Sequence, residues 1–155
     1  MPALSRVKRS RPLLGTFVTV TVEDPRPEAA VQAIVDMAFG RLARVGSLMN
    51  FHDTASEVAR LNACGHAHPL QVHEWTREVI QRAVALGHES EGAFDIAVEP
   101  GRQRNGFLAL QPGQPAAAGT FRDSHVMDDG RVHFRRPMQI DLGGDLVMPG
   151  FKNAH

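Results

Sequence analysis

The stretch that decides the fold lies near the carboxyl end and reads Met138-Gln139-Ile140-Asp141-Leu142-Gly143-Gly144. We interpret residues 138–142 as a strand that closes on a carboxylate and runs into two glycines. Because glycine lacks a Cβ atom, backbone can approach a polar ligand closely at such a turn. In many ligand-binding folds the turn opens a helix whose amino end favours an anion. Only residues 145–155 follow, and they include Pro149 and Gly150, so we expect the next element to be missing.

The composition is that of one soluble globular domain of 155 residues. Hydrophobic residues make up 43% and charged residues 22% of the chain, which are ordinary values for such a domain. Seventeen basic side chains balance seventeen acidic ones. No net field therefore attracts nucleic acid or acidic lipid, and we expect no nucleic-acid partner. The single cysteine, Cys64, excludes an internal disulfide.

The amino-terminal segment is basic, with cations at Arg6, Lys8, Arg9 and Arg11. We interpret it as a solvated, frayed terminus, with an interaction arm as the alternative. No apolar stretch reaches the roughly 20 residues of a membrane span. The sequence as written also carries no signal peptide, because no apolar segment follows the basic start. On these grounds the cytoplasm is the default localisation.

Hydrophobic periodicity predicts one strand and two helices in the first part of the chain. Residues 16–22 alternate valine and threonine as a half-buried strand does. Asp24, with Pro25 or Pro27 behind it, is predicted to cap a long amphipathic helix that ends at Met49. Thr54 and Glu57 have the spacing of a capping box, which predicts a short helix through Leu61.

The second part of the chain is predicted to hold one more helix and several strands. An extended piece at 69–72 precedes a helix over 74–88, and 96–98 is extended again. The apolar stripe of this helix is formed by Trp75, Val79, Ile80, Ala83 and Leu86. Residues 101–120 are predicted to form an exposed loop. Asp129-Gly130 predicts a type I′ hairpin turn between 126–127 and 132–134. The element order indicates an α+β fold, with helices on one face of a largely antiparallel sheet.

Two groups of polar residues have both a structural and a chemical interpretation. His66, His68 and His73 are spaced so that they could bind a metal, but they lie in a polar loop without a second cysteine, and we favour surface histidines. Three further residues could serve as acid–base machinery, although helix capping is the interpretation that we favour for them: Asp53, Ser56 and Glu57.

Two turns are candidates for ligand contact. Gly92-Ala93-Phe94-Asp95 follows a long helix, so its glycine is a natural carboxyl-terminal cap. Phe94 and Asp95 also pair an apolar face with a carboxylate, which suits a flat heteroaromatic ring and its polar edge. Asp141 through Gly144 are either a plain strand end or a second ligand turn. From the residues alone, the prediction stops at an α+β domain with two candidate turns.

Four motifs, in the same order and with similar spacing, resemble those of the ApbE family, the FAD:protein FMN transferases. They are Leu14-Gly15-Thr16 before a strand, then Met49-Asn50-Phe51-His52 with Ser56-Glu57-Val58 and Leu61-Asn62, then Gly92-Ala93-Phe94-Asp95, and last Ile140-Asp141-Leu142-Gly143-Gly144. The resemblance assigns 1–144 to the amino-terminal portion of a transferase domain and leaves 145–155 as a non-matching tail. It implies a T-fold-like antiparallel sheet backed by helices.

The resemblance also implies an activity and a set of ligands. Family members split FAD and attach FMN through a phosphoester to Thr or Ser of a target protein, typically a flavoprotein subunit of a membrane redox complex. A magnesium ion would neutralise the charge that develops as the pyrophosphate breaks. Family members commonly work at the periplasmic face of the bacterial inner membrane.

Individual site residues are implied position by position. The FAD-contacting positions of the family fall on Leu14, His52, Ala93, Phe94, Asp95 and Asp141. Leu14 stands where the family usually has Met, and His52 stands where it often has Tyr. The backbone carbonyl of Gly144 falls where the family reaches the metal. No catalytic residue is implied.

The chain departs from the family after Gly144, where Val147 replaces an FAD-contacting lysine. We expect a truncated chain whose tail is a genuine end or an out-of-frame product. Two alternatives to the transferase stay open: a non-catalytic flavin-nucleotide-binding module or inactive fragment, and a scaffold domain without ligand. A sheet that ends at residue 142 would leave an edge uncovered, so we expect a homo-oligomer or an aggregating product.

Overall fold

The computed structural model describes residues 3–98 and 119–142. Gly143, Gly144, the tail 145–155 and nearly all of the predicted loop 101–120 lie outside the described residues. The chain divides into two compact units, Met1–Ser47 and Leu48–His155. The described elements are β1 (Ser5–Leu13), β2 (Thr16–Asp24), α1 (Glu28–Met49), α2 (Glu57–Cys64), β3 (Leu70–Gln71), α3 (Glu74–Glu89), a 3₁₀ turn (Phe121–Asp123), β4 (Ser124–Val126) and β5 (Arg131–Phe134). No helix among these is long and apolar enough to cross a membrane.

In the first unit the basic start of the chain is a strand. β1 pairs antiparallel with β2 along its whole length, from Ser5 opposite Asp24 to Leu13 opposite Thr16. The prediction of a frayed terminus is therefore wrong. Its cations concealed the strand because most of β1 is exposed, with Val7 as its one buried residue. The strand gains its stability from the ladder to β2 and from the apolar side chains of β2 and α1.

The predicted strand at 16–22 and the long helix after it are both confirmed. Val7 joins the buried residues of α1 in one apolar cluster. Arg11 shows how a cation is accommodated on this hairpin, since its guanidinium lies 4.6 Å from the centre of the Phe39 ring and 3.3 Å from Asp36 Oδ1. A cation over an aromatic face is attracted to the ring quadrupole.

The entry to α1 differs from the prediction in its cap. Asp24 belongs to the end of β2, and its Oδ1 accepts the backbone N–H of Arg26 at 2.9 Å. The Arg26 guanidinium donates to the same carboxylate at 2.7 Å, and this hydrogen bond lowers the pKa of Asp24 to about 2. Asp24 thus fixes the turn before the helix, which begins four residues later at Glu28.

In the second unit a three-stranded antiparallel sheet has the order β3-β5-β4. The predicted α+β class with an antiparallel sheet is confirmed, as are the extended piece near 70 and the helix over 74–88. Helix α3 contacts β4 and the 3₁₀ turn. Among the described residues of this unit, the fully buried apolar side chains are Val58, Leu61, Ile80, Phe121, Val132, Phe134 and Ile140.

The hairpin between β4 and β5 is present, but its turn is of another type. Gly130 has a φ of +86°, and its N–H donates to the Met127 carbonyl at 2.9 Å. Asp129 is not among the described residues with positive φ, which rules out a type I′ turn. The loop is one residue longer than predicted, and Gly130 takes the left-handed position of a bulge at its end.

The buried face of α3 differs from the predicted apolar stripe. Leu86, predicted to lie on the buried stripe, is 44% exposed, whereas Thr76 and Gly87 are buried. Gly87 faces the ring of Phe121, and a Cβ atom built on it would lie 2.6 Å from Phe121 Cδ2. The missing side chain lets a fully buried phenylalanine approach the helix backbone.

We predict that Gly87→Ala destabilises the protein although alanine has the better helix propensity. The added methyl group would overlap the Phe121 ring, and overpacking of this kind costs about 1–3 kcal/mol. The matched control is Gly40→Ala, because a Cβ at Gly40 meets nothing within 4 Å. That control should be neutral or stabilising by up to about 1 kcal/mol. Urea denaturation measures both, and equal effects of the two substitutions would contradict this packing.

Candidate functional site

The two candidate ligand turns of the sequence lie side by side in the second unit. Ala97 and Ile140 form an antiparallel bridge. The Asp141 N–H donates to the Ile96 carbonyl at 3.0 Å, and the Val98 N–H donates to the Gln139 carbonyl at 2.9 Å. Backbone at Asp141 is therefore opposite Ile96, one residue along from Asp95. Within the described residues, the predicted strand 138–142 is reduced to this isolated bridge at Ile140.

The other edge of the same segment is held by a side chain. Asn62, on α2, donates from Nδ2 to the Ile140 carbonyl at 3.0 Å. Its Oδ1 accepts the Ile140 N–H at 2.8 Å. The amide group thus replaces the neighbouring strand that Ile140 would otherwise need. The edge that we expected to be open is covered at Ile140 by this amide.

The segment 93–95 is fixed by both of its ends. The Ser90 hydroxyl accepts the Phe94 N–H at 3.0 Å. Asp95 Oδ1 accepts two backbone N–H groups, those of Ala97 and Phe121, each at 2.9 Å. The carboxylate thereby links the turn to the 3₁₀ segment that starts at Phe121. Phe94 is half-buried, while Asp95 is exposed.

The carboxyl end of α3 leads into this turn through a helix-capping motif. The Gly92 N–H donates to the Gly87 carbonyl at 2.9 Å, and the Glu91 N–H donates to the His88 carbonyl at 3.1 Å. These are the two bonds of a Schellman motif, so the capping interpretation of Gly92 is confirmed. The left-handed residue of the motif is Glu91, with a φ of +54°. A side chain in this conformation costs on the order of 1 kcal/mol.

His52 lies in a turn that precedes α2. The Ser56 hydroxyl donates to the Asn50 carbonyl at 2.6 Å and accepts the Ala59 N–H at 3.1 Å. Ser56 is therefore the amino-terminal cap of α2, whereas the prediction assigned the capping box to Thr54. The His52 ring is exposed and meets the Phe51 ring edge-on, with 5.2 Å between their centres.

Glu57 is buried and joins α2 to α3. Its Oε1 accepts the His73 N–H at 2.8 Å, and its Oε2 accepts the Thr76 hydroxyl at 2.5 Å. The carboxylate thus satisfies donors at the amino end of α3, where a negative charge also complements the helix dipole. This arrangement supports the capping interpretation over acid–base chemistry.

The predicted site residues are not all brought together. Ala93, Phe94, Asp95 and Asp141 lie on the paired segments. His52 lies before the amino end of α2, whereas Asn62, which bonds to Ile140, lies near the carboxyl end of α2. The two ends of a helix of this length are about 12 Å apart. Leu14 belongs to the first unit, and Gly144 lies outside the described residues.

Leu14 occupies a strained turn in the hairpin between β1 and β2. Its φ is +56°, and that of Gly15 is +74°. The Leu14 side chain is half-buried against the apolar cluster of the first unit. Together with Glu91, Leu14 is one of two non-glycine residues with positive φ in the described part of the chain.

The described residues do not supply a magnesium site. Nowhere in 3–98 or 119–142 do three His, Cys, Asp or Glu side chains gather as a metal would require. The metal interpretation of the loop histidines finds no support either. His66 Nδ1 is 3.2 Å from the Phe134 carbonyl, and His73 Nδ1 accepts the Trp75 N–H at 3.1 Å.

Comparison with known proteins identifies the family. The model of the ApbE family matches residues 14–145. The chain belongs to the ApbE family. An FAD:protein FMN transferase of Treponema pallidum is 29% identical over 90 residues, which are 58% of this chain and 25% of that protein.

Solved structures of the family share the fold. The ApbE protein of Thermotoga maritima matches with a TM-score of 0.73 and 22% identity, over 89% of this chain and 47% of that one. The flavin transferase ApbE of Vibrio cholerae matches with a TM-score of 0.69 and 20% identity, over 90% and 48%. The predicted T-fold-like architecture is thereby confirmed. The chain spans about half the length of these structures.

Two structural residues of the site were not singled out from the sequence. Asn62 was quoted as part of a motif but given no role, and Phe121 was not considered. Asn62 gives no local signal, since it follows the predicted end of the short helix at Leu61 and asparagine is common at helix ends. Its partner lies 78 residues away, which no local pattern reveals.

We predict that Glu57→Ala destabilises the protein by about 2 kcal/mol or more. The substitution leaves the buried Thr76 hydroxyl and the His73 N–H without their acceptor, and such groups cost about 1–3 kcal/mol each. Glu78→Ala is the control, because the Glu78 side chain is 59% exposed and should change stability by no more than about 0.5 kcal/mol. Thermal unfolding compares the two. A Glu57 variant as stable as the control would revive the acid–base interpretation.

Proposed function

We propose that this chain carries the FAD-binding part of an FAD:protein FMN transferase. One observation carries the proposal: the pairing of 96–98 with 139–141 brings together the two segments that the resemblance assigns to FAD. The paired residues are 41 to 45 positions apart in the sequence, and the structure joins them by backbone hydrogen bonds. Membership of the family and the Treponema pallidum relative support the same activity.

The chemistry of the paired segments suits FAD. Ionised carboxylates accept hydrogen bonds and do not donate them, so Asp95 and Asp141 would bind N–H and O–H groups of FAD rather than its phosphates. Suitable donors are the ring N–H of the flavin, the adenine amino group and the sugar hydroxyls. The half-buried ring of Phe94 adds an apolar face against which a flat heterocycle packs. The exposed imidazole of His52 is proposed as a further stacking surface.

Leu14 is proposed as a further FAD contact on the resemblance. Its φ of +56° agrees with that proposal, because strained residues persist where the surrounding structure holds them and cluster at ligand sites.

The proposed reaction transfers FMN from FAD to a Thr or Ser hydroxyl of a target protein. The hydroxyl oxygen forms a bond to the phosphorus of the FMN half, the bond from that phosphorus to the bridging oxygen breaks, and AMP leaves as the hydroxyl proton is released. We assign no step to magnesium in this chain because the described residues do not form its site. The need for Mg²⁺, the target subunit of a membrane redox complex and self-association stay predictions. The localisation stays open between the cytoplasm, the default for the sequence as written, and the periplasmic face that the resemblance implies.

A titration with FAD separates the transferase from its alternative. We expect the chain to bind FAD. With Mg²⁺ added and water in place of the target hydroxyl as the acceptor, we expect it to hydrolyse FAD to FMN and AMP, which chromatography of the nucleotides detects. Binding without release would indicate a non-catalytic flavin-nucleotide-binding module. Absence of FAD binding would contradict both and leave the scaffold interpretation.

We predict that Asp141→Asn weakens FAD binding about tenfold. Hydrogen bonds to a charged acceptor contribute about 1.5–3 kcal/mol, and about 1.4 kcal/mol corresponds to a factor of ten in Kd. Asp128→Asn removes the same charge from an exposed position in the β4–β5 turn and should stay within about twofold of the parent chain, since a surface substitution away from the site changes little. Flavin fluorescence titration measures both. Equal affinities of the two variants would contradict the assignment of Asp141.

A further inference from the structure

We infer that Asn62 is a positioning residue for FAD binding and that it acts through Asp141. The inference rests on the proposed function above and deepens it. It concerns how the chain holds the proposed contact in place, and it assigns a role to a residue that need not touch FAD.

The first step is the geometry of the amide. Both polar atoms of the Asn62 side chain bond to the same residue, with Nδ2 at 3.0 Å from the Ile140 carbonyl oxygen and Oδ1 at 2.8 Å from the Ile140 nitrogen. Only one orientation of the amide satisfies a donor and an acceptor in this way. The side chain therefore behaves as one residue of an adjoining strand.

The second step is the position of Asp141 in the resulting ladder. Alternate backbone groups of an extended segment point to opposite edges. Ile140 turns its N–H and carbonyl toward Asn62, while Gln139 and Asp141 bond to Val98 and Ile96 on the other edge. With both edges engaged, the backbone of Asp141 cannot slide along its partner. Without the Asn62 amide, the Ile140 N–H and carbonyl would lose their hydrogen-bond partner on α2.

The third step is burial, which makes the two bonds necessary. Ile140 is fully buried, so its backbone groups are remote from water that could replace a lost partner. Asn62 is itself only partly exposed. An isosteric Asp at this position keeps the acceptor for the Ile140 N–H but directs an oxygen at the Ile140 carbonyl, where two acceptors repel. Segment 139–141 would then shift, and Asp141 with it.

The test is a double-mutant cycle on the full chain, read as FAD affinity. Asn62→Asp should weaken FAD binding about tenfold, the loss expected when the charged hydrogen bond from FAD to Asp141 is broken. In the Asp141→Asn background the same substitution should change affinity less than about twofold, since residues that act through one contact are not additive. Gln81→Glu is the control for an amide-to-acid change. Gln81 is exposed on α3, and its variant should bind as the parent does.

The outcomes distinguish the inference from the proposed function. An unchanged affinity of the Asn62 variant, or an equal loss in both backgrounds, overturns the positioning role while FAD binding itself stands. A parent chain that does not bind FAD overturns the proposed function, and the positioning role falls with it. A cycle with the expected coupling supports both.

A second measurement covers the case in which the Asn62 variant does not fold. Amide hydrogen exchange of the parent chain, with and without saturating FAD, reports on the segment directly. FAD bound at Asp141 should slow exchange of the Ile140 and Asp141 amides and leave that of Gly130 unchanged. Exchange at Ile140 that is insensitive to FAD overturns the inference without any variant.

Discussion

The hydrogen-bonded pairing of the Asn62 amide with the backbone of Ile140 is the constraint on which the second unit depends. It closes a circuit of contacts that starts and ends on α2. From Asn62 the circuit passes to Ile140, then across the bridge to Ala97, and from there to the Asp95 carboxylate. Asp95 holds Phe121 by its N–H, Phe121 packs on Gly87 of α3, and Glu57 returns from α3 to α2.

This circuit explains why polar side chains carry so much of the structure. Among the described residues, a single bridge joins the segments 93–98 and 138–142. Asn62 and Asp95 add side-chain partners beside this bridge, while Ser56 and Glu57 supply partners at the amino ends of α2 and α3. Each accepts hydrogen bonds from backbone or hydroxyl donors that have no partner within the helices and strands. Side chains thus supply part of the pairing around the bridge, and the proposed FAD contacts lie beside it.

Much of the fold could be predicted from the sequence because its patterns are local. The 3.6-residue period of α1 and α3, the valine–threonine alternation of β2 and the glycine of the β4–β5 turn all depend on near neighbours. β1 was missed because its basic side chains look like a solvated tail, and only the register with β2 explains them. Leu86 was predicted to be buried and is exposed, because the space beside α3 is set by Phe121, which packs on Gly87 from 34 residues away.

The candidate site could likewise be predicted only in part from the sequence. The two turns were found from their glycines and carboxylates, together with the resemblance to the family. What joins them could not be found, because Asn62 and Ile140 are 78 residues apart and Asp95 and Phe121 are 26 apart. The predicted caps near Asp24 and Ser56 were wrong by a few residues for a different reason. Several oxygens in each of these turns can accept the same backbone N–H groups.

The central claim is that the paired segments 93–98 and 139–141 form one FAD-contacting surface. The most direct measurement is an amide chemical-shift titration of the full chain with FAD. The account predicts saturable shifts at Phe94, Asp95 and Asp141 with one common Kd, and no shift at Gly130 in the distant hairpin turn. Saturation with FAD that leaves these three amides unmoved, or that moves them with different affinities, would contradict it.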